Sequence, residues 1–248
     1  MRDAVQRMRA LEHGVHDAQT IEREQIAGAV AYFNRELPRV WDLNFMRIDG
    51  EDADPVTEAD RLYAGYGHRK LLIEDPALVR RFAPALRERG YGQRGLTALA
   101  RRPGGELDPD VREMSFDEVQ DLALRIVGEQ APGRDPAVNR QVTQAGRLRE
   151  RAGARWLVIF DGDTAVGHCM LFSHAGAAQI DDVATLRSHR RRGLSRRLLR
   201  HALERVAADH DLVFILAEAD DWPVAFYGRL GFEEVERRSD FLLVIAEP

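Results

Sequence analysis

The sequence has a single cysteine, Cys169, so it cannot form an internal disulfide or a cysteine-rich metal site. It has no long apolar run either: none approaches the ~18 residues of a membrane span, and the first residues lack the apolar core of a signal peptide. The histidines show no metal-ligand spacing with cysteine or acidic partners. These absences predict a cytoplasmic protein without a bound metal or a membrane anchor.

An excess of positive charge is also absent from the sequence. The net charge is −5, so no global field attracts nucleic acid or anionic lipid. Lys70 is the only lysine among 36 basic side chains, and the others are arginine. Arginines cluster between Arg187 and Arg197, but no aromatic side chains are interleaved with them. A nucleic-acid interface is therefore the weakest of the function classes considered.

The length and the composition indicate a folded protein. The 248 residues are 44% hydrophobic and 31% charged, which is typical of a globular chain and not of a disordered or fibrous one. The clearest internal break is the stretch 101–110, RRPGGELDPD, with two prolines and two glycines. We therefore expect a first domain over residues 1–102, a linker over 103–110 and a second domain over 111–248.

The pattern after the linker predicts a mixed sheet with helices, of the α/β or α+β class. Strands are predicted over 111–114, 156–160, 166–172, 179–186, 212–217 and 241–246, and helices after Ser115, over 137–151, over 194–208 and up to Gly231. Ser115 and Glu118 form a capping box, and Asp161-Gly162 is a hairpin signal.

The first half is less regular. Its pattern predicts a helix over 18–37, a strand over 40–48, a short helix over 57–64 and a strand over 69–73. A helix carrying Leu78 and Phe82 and a strand over 96–100 follow. Residues 86–91, LRERGY, share their register with residues 227–232, YGRLGF, although a helix that ends in Gly and an aromatic residue is common. The first half is thus either a degenerate copy of the second or unrelated to it.

The stretch 180–195, IDDVATLRSHRRRGLS, predicts a strand, a basic loop and a helix that begins at Gly193. The free N–H groups and the dipole of a helix N-terminus suit a phosphate or a pyrophosphate. Gly193 lets the backbone approach the anion, Ser195 is small, and the arginines add charge-assisted contacts. The alternative is a solvated basic loop, and the strand before it and the amphipathic helix after it favour the anion site.

These residues resemble the GNAT superfamily of acyl-CoA-dependent N-acetyltransferases, over about residues 111–244. The loop Arg190 to Ser195 matches the family's Q/R-x-x-G-x-G/A loop for the pyrophosphate of acetyl-CoA, with Ser195 where glycine or alanine is usual. Residues 226–232, FYGRLGF, match a second signature, an aromatic–Tyr pair four residues before Gly-Phe. The resemblance implies a GNAT-like fold that is complete in the C-terminal domain. The N-terminal lobe, which has no such loop, would be a partial pseudo-repeat.

The resemblance also implies roles for single residues. The cofactor-binding set would be Val183, Ala184 and Thr185 for the pantetheine arm, Arg190, Arg191, Arg192, Gly193, Leu194 and Ser195 for the pyrophosphate, and Asp220. Tyr227 has the position of the general acid that protonates the departing CoA thiolate, or is a core tyrosine. Asp181 has the position of a general base in several members of the family, or is an ammonium anchor or a structural carboxylate. Asp220 replaces an asparagine that touches CoA, and an ionised aspartate cannot donate a hydrogen bond.

The predicted function is therefore an acetyl-CoA-dependent N-acetyltransferase that acts on a primary amine of a small molecule, by direct transfer in a ternary complex. No attacking cysteine is needed, so Cys169 is expected to be buried. The N-terminal lobe would shape the acceptor pocket, with Asn44 or Arg47 near it, and the protein would be a monomer or a homodimer. The alternatives are a catalytically silent CoA-binding or regulatory module and an arginine-loop nucleic-acid binder.

Overall fold

The computed structural model describes residues 2–245, which form one mixed sheet of eleven strands with helices on both faces. The helices are α1 (Arg2–Gln19), α2 (Pro55–Leu62), α3 (Pro76–Glu88), α4 (Phe116–Gln130), α5 (Pro136–Arg151), α6 (Leu194–Arg205) and α7 (Trp222–Gly228). The strands are β1 (Glu22–Ile26), β2 (Ala29–Phe33), β3 (Phe45–Ile48), β4 (His68–Ile73), β5 (Gly92–Arg101), β6 (Val111–Met114), β7 (Arg155–Asp161), β8 (Thr164–His174), β9 (Ala177–Thr185), β10 (Leu212–Glu218) and β11 (Glu233–Val244). The predicted mixed α/β class is confirmed. In this part of the chain no helix is long and apolar enough to span a membrane.

Local sequence signals explain where several helices begin. The predicted capping box is present at α4, where the Ser115 backbone N–H donates to Glu118 over 2.8 Å. Three further helices, α2, α3 and α5, begin at an Asp-Pro pair. In each pair the aspartate side chain accepts a backbone N–H of the first turn, and the proline fixes φ at a helical value without needing a hydrogen-bond acceptor.

The two halves of the chain exchange their last strands. The sheet order is β1-β2-β3-β4-β11-β5-β10-β9-β8-β7-β6, so β5 lies beside β10 and β11 lies beside β4. The exchanged strands β5 and β11 also pair with each other, in antiparallel orientation. Both follow a helix that ends in a glycine with positive φ, Gly90 at 88° and Gly231 at 83°, and then a buried aromatic residue. The first half thus repeats the element order of the second, without its first strand and one helix.

The helices lie in two layers. Residues 156, 158 and 160 of β7 join an apolar cluster with α1 and α4, whereas residues 157 and 159 join a second cluster with α6 and α7. Since alternate residues of a strand point to opposite faces, α1 and α4 lie on one face of the sheet and α6 and α7 on the other. The helix α5 packs beside α1 and α4, and its Leu148 contacts Leu37 and Val40 of the first half.

Two predicted elements of the first half are wrong. The helix predicted over 18–37 is replaced by the end of α1 and by the hairpin β1–β2, which turns at Gly28 with φ of 61°. A Cβ there would lie 2.7 Å from the Ala53 nitrogen, so the turn requires glycine. The strand predicted over 40–48 is a 3₁₀ turn, Trp41–Leu43, followed by β3. The apolar run 29–33, AVAYF, is buried throughout, as expected of a strand covered on both faces.

The last strand is longer than predicted. It begins at Glu233 instead of residue 241, and the predicted end at Ala246 lies outside the described residues. The first part of β11 is highly charged. It can still form a partly buried strand, because ion pairs hold its buried charged side chains. Arg238 is 3% exposed and donates to Glu12 over 2.7 Å and to Glu74 over 2.8 Å. Burial opposes the ionisation of Glu74, yet His13 and Arg238 lower its pKa to about 2.

We expect Arg238→Met to lower the free energy of unfolding by about 3–5 kcal/mol, because the buried Glu12 carboxylate loses its one ion-pair partner among residues 2–245 and the Glu74 carboxylate loses one of its partners. Urea unfolding followed by circular dichroism measures the change. The control is Arg237→Met, the next residue, whose side chain is 64% exposed and pairs with Glu234. This control should cost less than about 1 kcal/mol. Equal, small losses in both variants would show that the buried ion pairs do not hold α1 to the sheet.

Candidate active site

The site begins where two parallel strands separate. β9 and β10 pair only at residues 177–179 and 212–214, although β9 continues to Thr185 and β10 to Glu218. The corresponding pair in the first half, β3 and β4, stays together to the last residues of both strands, Ile48 and Ile73. Residues 180–185 therefore border an open gap on the side of β10, where an extended ligand can bond to strand backbone. Val183, Ala184 and Thr185 lie in this stretch.

A β-bulge lies in the same stretch of β9. Met170 of β8 pairs with Asp181, but His168 pairs with Ala184, and Asp182 has φ of 48°. The Asp182 carboxylate bonds to His168 Nε2 over 3.2 Å. Asp181 lines a cavity, and its Oδ1 accepts the Asp182 backbone N–H over 2.9 Å. The two carboxylates thus have separate surroundings, which the bulge sets and simple strand alternation does not.

Their pKa values are shifted in opposite directions. Burial raises the pKa of Asp181, Asp182 raises it further, and Arg149 opposes the rise. Burial also acts on Asp182, but the hydrogen bond and charge of His168 outweigh it and lower the pKa of Asp182. Two adjacent carboxylates with diverging pKa values are typical of sites that move protons. Asp181 is the better proton acceptor of the two.

Tyr227 lies on α7, on the opposite face from α1, and is 8% exposed. Burial, with the nearby charges of Asp181 and Asp182, raises the pKa of its hydroxyl far above the ordinary value, so the group stays protonated and can donate. Asp220 lies exposed in the turn between β10 and α7. Cys169 is fully buried, and burial raises the pKa of its thiol, so it is not a nucleophile.

The basic loop leads into the N-terminus of α6. Gly193 is the N-cap with φ of 79°, and no side chain caps the helix within the described residues. The first helical backbone bond is from Arg197 N to Gly193 O, so the N–H groups of residues 194–196 have no partner in that part of the chain. Leu194 is buried and anchors the helix, and Ser195 Oγ lies 2.9 Å from Thr185 Oγ1. This arrangement suits an anion.

The arginines of the loop differ in their partners. Arg192 pairs with Asp161, and Arg197 pairs with Asp108 and Asp110. The guanidinium groups of Arg187 and Arg190 donate to backbone carbonyls, of Glu129 and Thr185, and the side chains of Arg191 and Arg196 make no hydrogen bond or ion pair to the rest of residues 2–245. Since acidic side chains neutralise two of these arginines and two more are held by the backbone, the loop fits a compact anion better than a long nucleic-acid backbone.

The equivalent loop of the first half is acidic. Residues 49–54, DGEDAD, precede α2, and Asp54 accepts the Thr57 backbone N–H over 3.1 Å. A carboxylate therefore occupies this helix N-terminus, and the strands before it do not separate. The first half lacks both features that make an anion site in the second.

A cavity of about 360 Å³ lies between α1 and α5, over the sheet. Its wall includes Phe45 and Leu72 from the first half, and Phe172, Gln179 and Asp181 from the second. Asp181 and Gln179 place it at the mouth of the gap between β9 and β10. The first half thus contributes to the cavity, through residues that the sequence did not single out. That this cavity is the acceptor pocket stays a prediction.

Asn44 and Arg47, which were expected near this pocket, do not line it. The buried Asn44 amide holds the loop before β3: it accepts the Asn34 N–H over 2.7 Å and donates to the Leu37 and Val40 carbonyls. Arg47 pairs with Asp49. Among the cavity residues that sequence reasoning missed, His16 lies on α1 and Arg149 on α5.

Residues 117–232 match the acetyltransferase (GNAT) family. No curated protein sequence is significantly similar to this chain. Similar solved structures include a functionally unknown conserved protein from Staphylococcus epidermidis ATCC 12228, with 15% identity over 92% of this chain and 95% of that one and a TM-score of 0.70. A GCN5-related N-acetyltransferase from Kribbella flavida has 20% identity over 96% and 94%, with a TM-score of 0.62. A tandem GNAT protein from the clavulanic acid biosynthesis pathway has 17% identity over 82% and 76%, with a TM-score of 0.54. At these identities the likeness shows a shared fold.

Proposed function

We propose that residues 117–232, which match the acetyltransferase (GNAT) family, form an acyltransferase domain, and that the protein transfers an acetyl group from acetyl-CoA to a primary amine of a small molecule. The observation that carries this proposal is the gap between β9 and β10. It runs from an uncapped helix N-terminus at Gly193 to the cavity at Asp181. An extended ligand with an anionic end and a reactive end fits such a path.

The fit to acetyl-CoA rests on these residues. The pyrophosphate is bound by the N–H groups after Gly193 and by the side chains of Arg190, Arg191 and Arg192, of which Arg191 is not engaged elsewhere. The pantetheine amides bond to the backbone of residues 183–185. Asp220 accepts a hydrogen bond from a donor of the ligand, because its carboxylate cannot donate one. When bound, acetyl-CoA supplies the acetyl group as an activated thioester.

Two side chains move the protons. The amine enters as an ammonium and releases one proton to water. Asp181 accepts a second proton from the nitrogen as the C–N bond forms, and Tyr227 gives its hydroxyl proton to the sulfur as the C–S bond breaks. The proton on Asp181 returns through solvent to Tyr227, so the net products are an amide, a thiol and one released proton. The raised pKa of Asp181 suits its role as proton acceptor. The raised pKa of Tyr227 keeps its hydroxyl protonated until the thiolate forms.

The test is release of free thiol from acetyl-CoA in the presence of primary amines. We expect Tyr227→Phe to lower kcat about 10–100-fold with little change in the KM for acetyl-CoA, because a general acid acts only in the transition state. The matched control is Tyr91→Phe, which removes a buried hydroxyl without a hydrogen-bond partner in the first half. If CoA binds but no amine causes thiol release from acetyl-CoA, the result would instead support a silent CoA-binding module.

A further inference from the structure

Most charged side chains in the cavity wall are paired with each other. The pairs are Arg238 with Glu12, Lys70 with Asp42 and Asp240, and Arg94 with Glu218 and Asp240. These pairs hold three cations and four carboxylates, so they leave an excess of one negative charge, and they fix the shape of the wall. Since their charged groups bind one another, recognition of a ligand falls to the side chains that remain.

Two oppositely charged groups remain. Within residues 2–245, Arg149 is the one cation of the wall that forms no hydrogen bond or ion pair, and it is half-buried. Asp181 uses one carboxylate oxygen for the Asp182 N–H and has no ion pair in the same part of the chain. Arg149 lies near enough to lower the pKa of Asp181, but the two groups are not in contact. The space between them is part of the cavity.

From this arrangement we infer that the cavity takes a zwitterionic acceptor, a small molecule with a primary amine and a carboxylate. Arg149 binds the carboxylate, because its planar guanidinium matches a carboxylate with two parallel charge-assisted hydrogen bonds. Asp181 binds the amine. The inference rests on the proposed function for the identity of the amine as the reacting group, and it adds the carboxylate and the residue that selects it.

The other surfaces of the cavity agree with this class of ligand. Its volume of about 360 Å³ suits a small molecule. Apolar side chains, Phe45, Leu72 and Leu216, border the space and can cover the carbon chain that joins the two charged groups. A polycationic amine, such as an aminoglycoside, would place several ammonium groups beside a single unpaired carboxylate and an unpaired guanidinium. The unpaired guanidinium therefore opposes its binding.

The experiment measures binding directly, so that it does not depend on turnover. Calorimetric titration of the full chain, saturated with CoA, uses β-alanine, 4-aminobutyrate, 6-aminohexanoate and L-leucine, each beside its primary amide. We expect at least one amino acid to bind on the order of tenfold or more tightly than its amide. Arg149→Gln should remove this preference. Arg147→Gln, two residues away on α5 and paired with Asp117, should keep it.

Equal affinity of the amino acids and the amides, no binding of any amino acid, or an Arg149→Gln variant that keeps the preference would overturn the inference. Thiol release, measured separately on the same compounds, tests the proposed function. If amines that lack a carboxylate are acetylated and no amino acid binds, the inference fails and the proposed acetyltransferase function stands. If an amino acid binds through Arg149 but no amine is acetylated, the proposed function fails and the binding site stands.

Discussion

The Gly193→Glu variant is expected to lose at least ~100-fold in affinity for CoA and acetyl-CoA while the fold is retained. The new carboxylate would lie at the uncapped N-terminus of α6, where the proposed pyrophosphate site requires positive potential. A Cβ at this position meets no atom within 4 Å, so a side chain can start there without a clash. The cost in stability is the positive φ of 79°, roughly 1–2 kcal/mol for a residue other than glycine.

Calorimetric titration with CoA and acetyl-CoA measures this loss. Gly193→Ala separates the backbone strain from the charge and should bind more tightly than Gly193→Glu. The matched control is Gly153→Glu, since Gly153 also has positive φ, 94°, and nothing within 4 Å of its Cβ position. It lies before β7, near the start of β9 and away from the basic loop. Unchanged binding by Gly193→Glu, or no binding by the natural sequence, would mean that the loop is only basic surface.

The sequence predicted the parts of the fold that local signals determine. The capping box at Ser115, the hairpin at Asp161-Gly162 and the strand–loop–helix unit around Gly193 depend on residues close together in the chain. The repeated helix–Gly–aromatic segment correctly marked the same local structure in both halves. The division at 1–102, 103–110 and 111–248 stays a prediction, because the exchanged strands β5 and β11 join both halves into one sheet.

Pairs of residues far apart in the chain account for what the sequence did not predict. α1 was missed because its buried face includes Glu12, whose partner Arg238 lies 226 residues away. The cavity has the same origin, since Arg149 and Asp181 approach each other only after α5 and β9 are placed on the sheet. The bulge at Asp182 likewise separates two adjacent carboxylates in a way that a two-residue repeat does not describe.

The second large effect is expected for Asp181→Asn, which should lower kcat/KM for acetyl transfer by about 10²–10⁴-fold, because an amide cannot accept the proton of the amine. In the natural sequence the rate should rise with pH through the raised pKa of Asp181. With an acceptor amine of low pKa, this rise is separated from the ionisation of the amine. Asp181→Asn should lose it. Thiol-release rates between pH 5 and 9 measure both the loss and the change of profile.

Stability distinguishes this role from a structural one. The pKa of Asp181 is raised in the folded state, so ionisation at neutral pH opposes folding, and Asp181→Asn should keep or increase the free energy of unfolding. The pKa of Asp182 is lowered, so its carboxylate stabilises the fold at neutral pH and loses this effect as the pH falls through the folded pKa. Asp182→Asn should therefore destabilise the protein at pH 7. If Asp181→Asn is instead less stable than the natural sequence at pH 7, the Asp181 carboxylate serves the fold, and the base must be sought elsewhere in the cavity. A variant that gains stability while it loses activity is the result expected if the Asp181 carboxylate serves the chemistry and not the fold.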